Sequence, residues 1–270
     1  FSFGPFLGFW SAFEAAAAMG IRAIPGGGLS SEDRLRMMAL HRPQFMACTP
    51  TYSLHLALVG KGMGLPVDRL GVKALVVCGE PGGSIPEVRE RIEAEWGARV
   101  IDHHGMTETG PVTVSDPDHP DLLRIYHSSY HAEVVSPESL EQVTLGEVGE
   151  LVLTTLGRYG APLIRYRTGD LVRPVAPEKT DSAPFALQGG IIGRADDMVV
   201  VRGVNVYPSA IEAVVRAVDG VGEYQVEVDE QGTLPEISLV IENLGDGRSE
   251  EALEARLRSV FSMRIPVRAV

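Results

Sequence analysis

The sequence predicts an α/β fold: a parallel sheet flanked by helices with an antiparallel annex, followed by a small α+β C-terminal domain. Three observations carry it. Over the first hundred of the 270 residues, helical and strand signals alternate, which is the pattern of a parallel sheet covered by helices. From Glu133 onward strand signals follow one another without intervening helices. After Gly193 a compact unit of strands and two helices begins.

The elements follow in order. Residues 9–19 read as a helix stopped by Gly20, and 21–24 as a strand. Ser30 and Ser31 offer caps to an acidic first turn, Glu32 and Asp33, opening a helix that runs to about His41. Residues 44–48 read as a strand, 52–58 as a helix, and 73–78 as a continuous apolar strand of the kind buried on both faces. Ser84, with Glu87 three residues on, has the spacing of a capping box for a helix reaching Trp96, with Gly97 as its stop. The strand at 99–103 runs straight into a polar, glycine-bearing segment. In the annex, strands are expected at 133–135, 150–155, 163–167 and 171–173, the last ended by Pro174, with 176–184 as a surface loop. The final unit reads as a hairpin of 198–202 and 204–207 around Gly203, a helix from Pro208 and Ser209 to Val218, strands at 224–228 and 237–241, and a helix at 250–261. There is no internal repeat and no low-complexity tract.

With 24 Lys+Arg against 36 Asp+Glu the formal charge is -12, which argues against a nucleic-acid partner, since such proteins need a basic face. The two cysteines, Cys48 and Cys78, lie in apolar runs without metal-ligand spacing; they read as buried free thiols, and a cytoplasmic setting is the expectation. The apolar stretch at 6–19 is interrupted by Glu14 and preceded by no basic segment, so neither a signal peptide nor a membrane span is expected. No Walker loop, Rossmann fingerprint or Gly-x-Ser-x-Gly elbow occurs, which removes the usual supports for P-loop kinase, nicotinamide oxidoreductase and serine hydrolase.

Four segments combine glycine with polar chemistry. Gly79-Glu80-Pro81-Gly82-Gly83 permits close approach of a flat ligand or of another backbone, and by itself reads better as a strand-to-helix turn. Gly105-Met106-Thr107-Glu108-Thr109-Gly110 sets a hydroxyl beside a carboxylate: Thr107 suits a phosphate oxygen and Glu108 a Mg²⁺ ion, against a plain solvated turn. Both segments follow predicted parallel strands at their carboxyl ends, where open α/β sheets bind ligands. Arg158 and Arg165-Tyr166-Arg167-Thr168-Gly169-Asp170 suit a phosphate and a ribose diol, or equally a salt-bridged strand pair. Gly193-Arg194-Ala195-Asp196-Asp197 stands at the join of the two regions, as a linker or a hinge. His127 and His131 have i, i+4 spacing but lack the helix and third ligand that a metal site needs.

In this order the four segments resemble the adenylate-forming (acyl-CoA synthetase) superfamily and, within it, the phenylacetate-CoA ligase family. The resemblance rests on Cys78-Gly79-Glu80-Pro81-Gly82, Asp102-His103-His104-Gly105-Met106-Thr107-Glu108, the run from Pro162 to Leu171, and the run from Gly193 to Ser209, with similarity also in the opening residues and around Thr49-Pro50-Thr51-Tyr52. It implies a large AMP-binding domain over 1–195 and an incomplete, mobile small domain over 196–270. It implies ATP, Mg²⁺ and coenzyme A as cofactors and co-substrates, and a carboxylic acid, such as the aryl acid phenylacetate, as substrate. The implied roles are Gly79, Glu80 and Pro81 along the adenine, with His103, His104 and Gly105 beside them; Thr107 on the AMP phosphate; Glu108 on Mg²⁺; Asp170 on the ribose; Arg194 on ribose or phosphate; Asp196 as hinge; and Arg202, Gly203, Val204 and Asn205 as the loop facing coenzyme A. Thr107, Glu108 and Arg194 are thereby the catalytic candidates.

There are departures. His104 stands where many members have tyrosine. The family's Ser/Thr/Gly-rich phosphate loop and its C-terminal lysine are absent, and the chain opens at Phe1 in the middle of a helical pattern, so it reads as part of a longer enzyme and is not expected to catalyse by itself. Residues 182–187 lack the Cys-x-Cys pair of many relatives, so no zinc is expected. The alternatives are an adenylating enzyme that passes its acyl group to an amine or a carrier protein, and a non-catalytic nucleotide-binding domain. A homodimer is compatible with the resemblance. The aromatic residues Phe1, Phe3 and Phe6 and the segment 48–52 suit either an aromatic-acid pocket or the core, the core being the better reading.

Overall fold

A computed structural model describes residues 7–177, 184–197, 199–201, 204–229, 236–245 and 249–270. The chain divides into two compact units, Phe1–Ile191 and Ile192–Val270.

The first unit opens with α1 (Leu7–Ala18) and α2 (Ser31–His41). As the sequence predicts, Ser30 caps α2, its hydroxyl accepting the Asp33 N–H at 3.1 Å. A parallel sheet follows in the order β1 (Phe45–Cys48), β2 (Ala74–Val77), β3 (Arg99–Asp102), with α3 (Pro50–Gly62) and α4 (Pro86–Trp96) as its crossovers. Thr49 and Pro50 start α3 as cap and first residue, and Gly97 stops α4 in the left-handed region at φ 58°. The apolar faces of these helices meet the sheet in a core of Leu35, Leu56, Leu75, Val88, Ile92 and Trp96, all almost wholly buried. Each such side chain contributes about 1.5–3 kcal/mol relative to exposure. The Trp96 indole N–H donates to the Ser53 carbonyl at 3.1 Å, so burying it leaves no donor unmet.

Val77 of β2 lies in register with Asp102 of β3. The chain segments leaving these strands therefore start side by side at the sheet's carboxyl edge, about 5 Å apart. The second segment forms a tight hairpin, β4 (Gly105–Met106) with β5 (Gly110–Pro111). The annex is a six-stranded antiparallel sheet built from β6 (Thr113–Ser115), β7 (Leu122–Ile125), β8 (Tyr130–Val135), β9 (Gly149–Thr155), β10 (Tyr166–Val175) and β11 (Ala186–Arg194) in the order β6-β7-β11-β10-β9-β8.

The second unit pairs β12 (Val199–Val201) with β13 (Val204–Val206), then runs α5 (Pro208–Arg216), β14 (Val221–Asp229), β15 (Glu236–Asn243), α6 (Ser249–Phe261) and β16 (Val267–Ala269). Its core gathers Val215, Leu239, Ile241, Leu253, Leu257 and Ile265. Within it the buried Arg216 guanidinium meets Glu212 at 2.8 Å and the Gly222 carbonyl at 2.8 Å, while Glu212 also accepts the Tyr224 hydroxyl. A charge is tolerated there because every strong contact is returned.

Several expectations are corrected. Residues 21–24 form no strand, because apolar character alone supplies no partner edge. Ser84 caps nothing: its hydroxyl donates to Asp102 at 2.6 Å, and α4 begins at Pro86 with no side-chain cap. The strands expected at 163–167 and 171–173 are one strand, β10, which starts only at Tyr166 and passes through Pro174. Pro174 is tolerated because it lies beyond the last β9 pairing, Val172 with Gly149, so on that side its missing N–H removes no ladder bond. The strands β4 to β7, β11 and β16 have no counterpart in the sequence pattern. Most are two to four residues long, and β11 is interrupted by Gly189 and Gly190. Of the expected loop at 176–184, residues 178–183 lie outside the described residues. Cys48 is buried, its thiol pushed up to about 12 chiefly by burial, whereas Cys78 is only partly buried. Among the described residues no helix is long and apolar enough to cross a membrane.

Candidate functional site

The site forms at the carboxyl edge of the parallel sheet, where β2 and β3 end. After β2, Gly79 takes φ 95°, a conformation that side chains rarely adopt. Glu80 then turns inward: its carboxylate accepts the Thr51 N–H at 2.7 Å, satisfying an otherwise unbonded donor in the first turn of α3 and placing negative charge at that helix's positive end. Gly83 is required by space, since a Cβ there would lie 2.5 Å from Val77 and 2.7 Å from Asp102.

After β3, two adjacent histidines receive different environments. His103 donates its main-chain N–H to the Val77 carbonyl at 3.0 Å, and its Nδ1 meets the Thr113 carbonyl at 2.6 Å. His104 is pinned at both main-chain groups: its N–H donates to the Thr113 hydroxyl, and its carbonyl accepts from Val112 and Thr113. Its ring reaches across to β10, where Nε2 lies 2.9 Å from an Asp170 carboxylate oxygen, with only 12% and 8% of the two side chains exposed. The other ring nitrogen, Nδ1, is buried and has no hydrogen-bond partner among the described residues.

Asp170 is delivered to that position by a bulge. Arg167 of β10 faces Val152 and Leu171 faces Glu150, so the longer β10 segment bows out, with Gly169 at φ 76°. The displaced groups are caught locally. Glu150 accepts the Gly169 N–H at 3.1 Å, and the Thr168 hydroxyl both donates to the Leu151 carbonyl at 2.8 Å and accepts the Asp170 N–H at 3.0 Å.

The β4–β5 hairpin carries Thr107 and Glu108 at its exposed turn. Gly105 is dictated by the pairing, for a Cβ there would lie 2.8 Å from the Gly110 carbonyl. Two donors from the annex hold the turn: the Arg158 guanidinium donates to the Glu108 carbonyl, and the Tyr130 hydroxyl to the Thr109 carbonyl at 2.7 Å. A cavity of about 280 Å³, bounded by Thr109, Tyr130, Thr155 and Arg158, adjoins them. The Thr107 hydroxyl accepts only a long contact of 3.4 Å from the Leu7 N–H, and the Glu108 carboxylate has no partner among the described residues. Mg²⁺ is typically held by one or two carboxylates together with substrate phosphates and water, and a single uncommitted carboxylate beside a hydroxyl fits that donor set.

Gly79–Pro81, His103–Glu108 and Asp170 thus converge from three parts of the chain. Arg165 and Arg167 do not join them. They pair instead with Glu133 and Glu150 as a salt-bridged strand set. Arg194 and Asp196 lie in the second unit, paired with each other at 2.9 Å, and that pairing holds the Asp196 carboxyl below the usual range. Val204 and Asn205 lie in β13; Arg202 and Gly203 lie outside the described residues, as do Phe1, Phe3 and Phe6. Ser84, Asp102, Tyr130 and Thr113 support the site without having been expected from the sequence. Asp102 was the one with a signal, an acidic side chain directly after the apolar pair Val100 and Ile101.

Comparison with known proteins gives a consistent picture. The family model described as AMP-binding enzyme matches residues 1–157, and that described as AMP-binding enzyme C-terminal domain matches residues 203–270. The chain is 33% identical over 245 residues to the phenylacetate-coenzyme A ligase of Thermus thermophilus, covering 90% of this chain and 55% of that protein. It is 30% identical over 246 residues to that of Escherichia coli, with the same coverages. The crystal structure of a 2-hydroxyisobutyryl-CoA ligase in the postadenylation state with 2-HIB-AMP is similar over the whole chain and 60% of its own, with a TM-score of 0.92 and 29% identity. The same ligase with 2-HIB-AMP and CoA in the thioesterification state gives 0.68 over the same coverages. The chain spans rather more than half the length of the curated relatives it matches.

Proposed function

Because the chain belongs to the AMP-binding enzyme family, we propose that it is the nucleotide-binding and C-terminal part of an ATP-dependent acid–CoA ligase. In the first half-reaction a carboxylate oxygen attacks the α-phosphorus of ATP, giving an acyl-adenylate and pyrophosphate. In the second, the thiol of coenzyme A attacks the acyl carbonyl and AMP leaves. The observation that carries this reading is the meeting of His104 and Asp170, 66 positions apart in sequence, beside the uncommitted Thr107 and Glu108 at the sheet's carboxyl edge.

In this reading the Asp170 carboxylate accepts from the ribose hydroxyls, and Gly79 to Pro81 with His103 to Gly105 flank the base. Glu80 contributes main chain rather than charge, its carboxylate being spent on α3. The Thr107 hydroxyl donates to an α-phosphate oxygen, where negative charge concentrates as the fifth bond forms. Glu108 would hold Mg²⁺, which supplies neutralisation of phosphate charge. Arg158 and Tyr130 keep the hairpin turn in place so that both side chains meet the phosphate together. Arg194 contacts ribose or phosphate, the 196–270 domain moves about Asp196 between half-reactions, and the loop of Arg202, Gly203, Val204 and Asn205 serves the thioester step. Relatives that are phenylacetate-coenzyme A ligases make an aryl acid such as phenylacetate the first substrate to try, in a cytoplasmic setting.

Isothermal titration of the chain with ATP and with a nonhydrolysable acyl-adenylate analogue tests the reading. Saturable binding is expected, weakened at least tenfold by Asp170→Ala; titration without heat, or an Asp170→Ala variant that binds as the wild type does, overturns it.

A further inference from the structure

We propose that the cavity behind the β4–β5 turn binds a small phosphate-type oxyanion, held by the Arg158 guanidinium and the hydroxyls of Ser128 and Ser129. It is a different place from the nucleotide site proposed above, since none of Gly79 to Pro81, His103 to Glu108 or Asp170 borders it.

The cavity lies where β8 begins and β9 ends, with Tyr130 in register with Thr155. Part of its wall is fixed by internal bonds. The Tyr130 hydroxyl donates to the Thr109 carbonyl at 2.7 Å, and the Thr155 hydroxyl accepts the Leu163 N–H at 3.0 Å. Thr109, Tyr130 and Thr155 are all buried. Ser128 and Ser129 are the opposite: both are exposed, and their hydroxyls have no partner among the described residues. The cavity therefore has a rigid wall and two donors still to be used, so little order remains to be imposed on binding.

Arg158 supplies the charge. Its guanidinium gives one N–H to the Glu108 carbonyl and has no carboxylate partner among the described residues, whereas Arg165 and Arg167 pair with Glu133 and Glu150. The planar fork carries five N–H donors, so an anion can be bound while the turn stays held. No Asp or Glu lines the cavity, although the chain as a whole has a formal charge of -12. The cation acts on the wall as well: burial raises the Tyr130 pKa, and Arg158 pulls partly against it. A guanidinium and two uncommitted hydroxyls around one space, with no acid among them, select an anion. They come from two loops, before β8 and after β9, and a tetrahedral anion accepts from such separate directions better than a planar carboxylate does. A water takes about 30 Å³ of liquid, so a cavity of about 280 Å³ admits a phosphate with part of its hydration shell. Because Arg158 also holds the Glu108 carbonyl, an anion bound there fastens the turn that carries Thr107 and Glu108.

Inorganic phosphate, glycerol phosphate and acetate are titrated into the full chain at constant ionic strength, which holds screening fixed, with thermal melts alongside. Phosphate should bind at one site, about tenfold or more tightly than acetate, and should raise the melting temperature. Glycerol phosphate binding as well as phosphate identifies the occupant as a phosphoryl group, and weaker binding identifies it as the free ion. Arg158→Met should weaken phosphate binding about tenfold or more, the value of a hydrogen bond to a charged group. That variant also releases the turn, so Ser129→Asp is the second test: it leaves Arg158 on Glu108 but places an acid in the cavity, and should block phosphate while still melting cooperatively. Thr107→Val and Asp170→Ala, altered in the nucleotide site, should bind phosphate as the wild type does. The absence of saturable phosphate binding overturns the assignment, as does acetate bound equally well. Unchanged binding by folded Ser129→Asp, or loss in Thr107→Val with retention in Arg158→Met, also overturns it. Failure of nucleotide alone to bind overturns the proposed function and leaves this site standing.

Discussion

The segments that leave β2 and β3 are neighbours, both rich in glycine, and they use their residues in opposite ways. After β2, Glu80 caps α3 and Gly82 and Gly83 make room for Pro50, Val77 and Asp102, so the segment is spent on holding elements together. After β3, the glycines shape a hairpin, while His104 Nδ1 and the Glu108 carboxylate are left without partners among the described residues. Glycine density therefore reports how closely backbones approach, and chemistry is found where a side chain has been left unsatisfied.

The contrast is broken most directly at Gly83. A methyl group there meets two side-chain carbons rooted next to the backbone of β2 and β3, which cannot swing away as the end of a lysine could. Gly83→Ala should cost about 3 kcal/mol, lowering the melting temperature by roughly 10 °C. A melt within about 2 °C of wild type would show that the first segment is not the packing device described.

Glu108→Gln tests the other side. Its carboxylate supports nothing internal, so stability should stay within about 0.5 kcal/mol of wild type. In a full-length enzyme that contains this chain, pyrophosphate release with ATP and a carboxylic acid should fall about a hundredfold, as for loss of one preorganised electrostatic contact in a reaction of developing charge. Equal activity, or a large loss of stability, would place Glu108 with Glu80 as a structural carboxylate.

How far this contrast was legible in the sequence depended on the range of the interactions. The crossovers, the Ser30 cap and the Gly97 stop are written within a few residues, and they were readable. The roles of Ser84 and Glu80 were not. Ser84 has a local partner at capping-box spacing, yet it bonds Asp102, 18 positions on, because burying that carboxyl demands a donor. The Asp170 bulge depends on Glu150 and Thr168 catching displaced groups, which no periodicity announces. The arginines at 165 and 167 satisfied the spacing of either a phosphate site or a strand pair, and only the opposite strands decided between them.

Asp102 joins the two segments and gives the smallest effect. Its carboxyl accepts from the Ser84 hydroxyl of the first segment and from the His103 N–H of the second. Burial pushes its pKa up, more strongly than those two bonds and the nearby His104 pull it down. The sign follows: a folded pKa raised above the unfolded value, about 3.9 for aspartate, means the folded state holds the proton more tightly. The associated stability is complete below the unfolded pKa and is lost as pH rises through the folded one, at about 1.4 kcal/mol for every tenfold difference in proton affinity between the two states. Asp102→Asn keeps an acceptor for Ser84 but has no proton to lose. In urea unfolding between pH 3 and 7 the variant should therefore lose less stability with rising pH than the wild type does. Parallel curves would mean that Asp102 ionises in the folded protein as it does unfolded, and that the two segments are joined by packing alone.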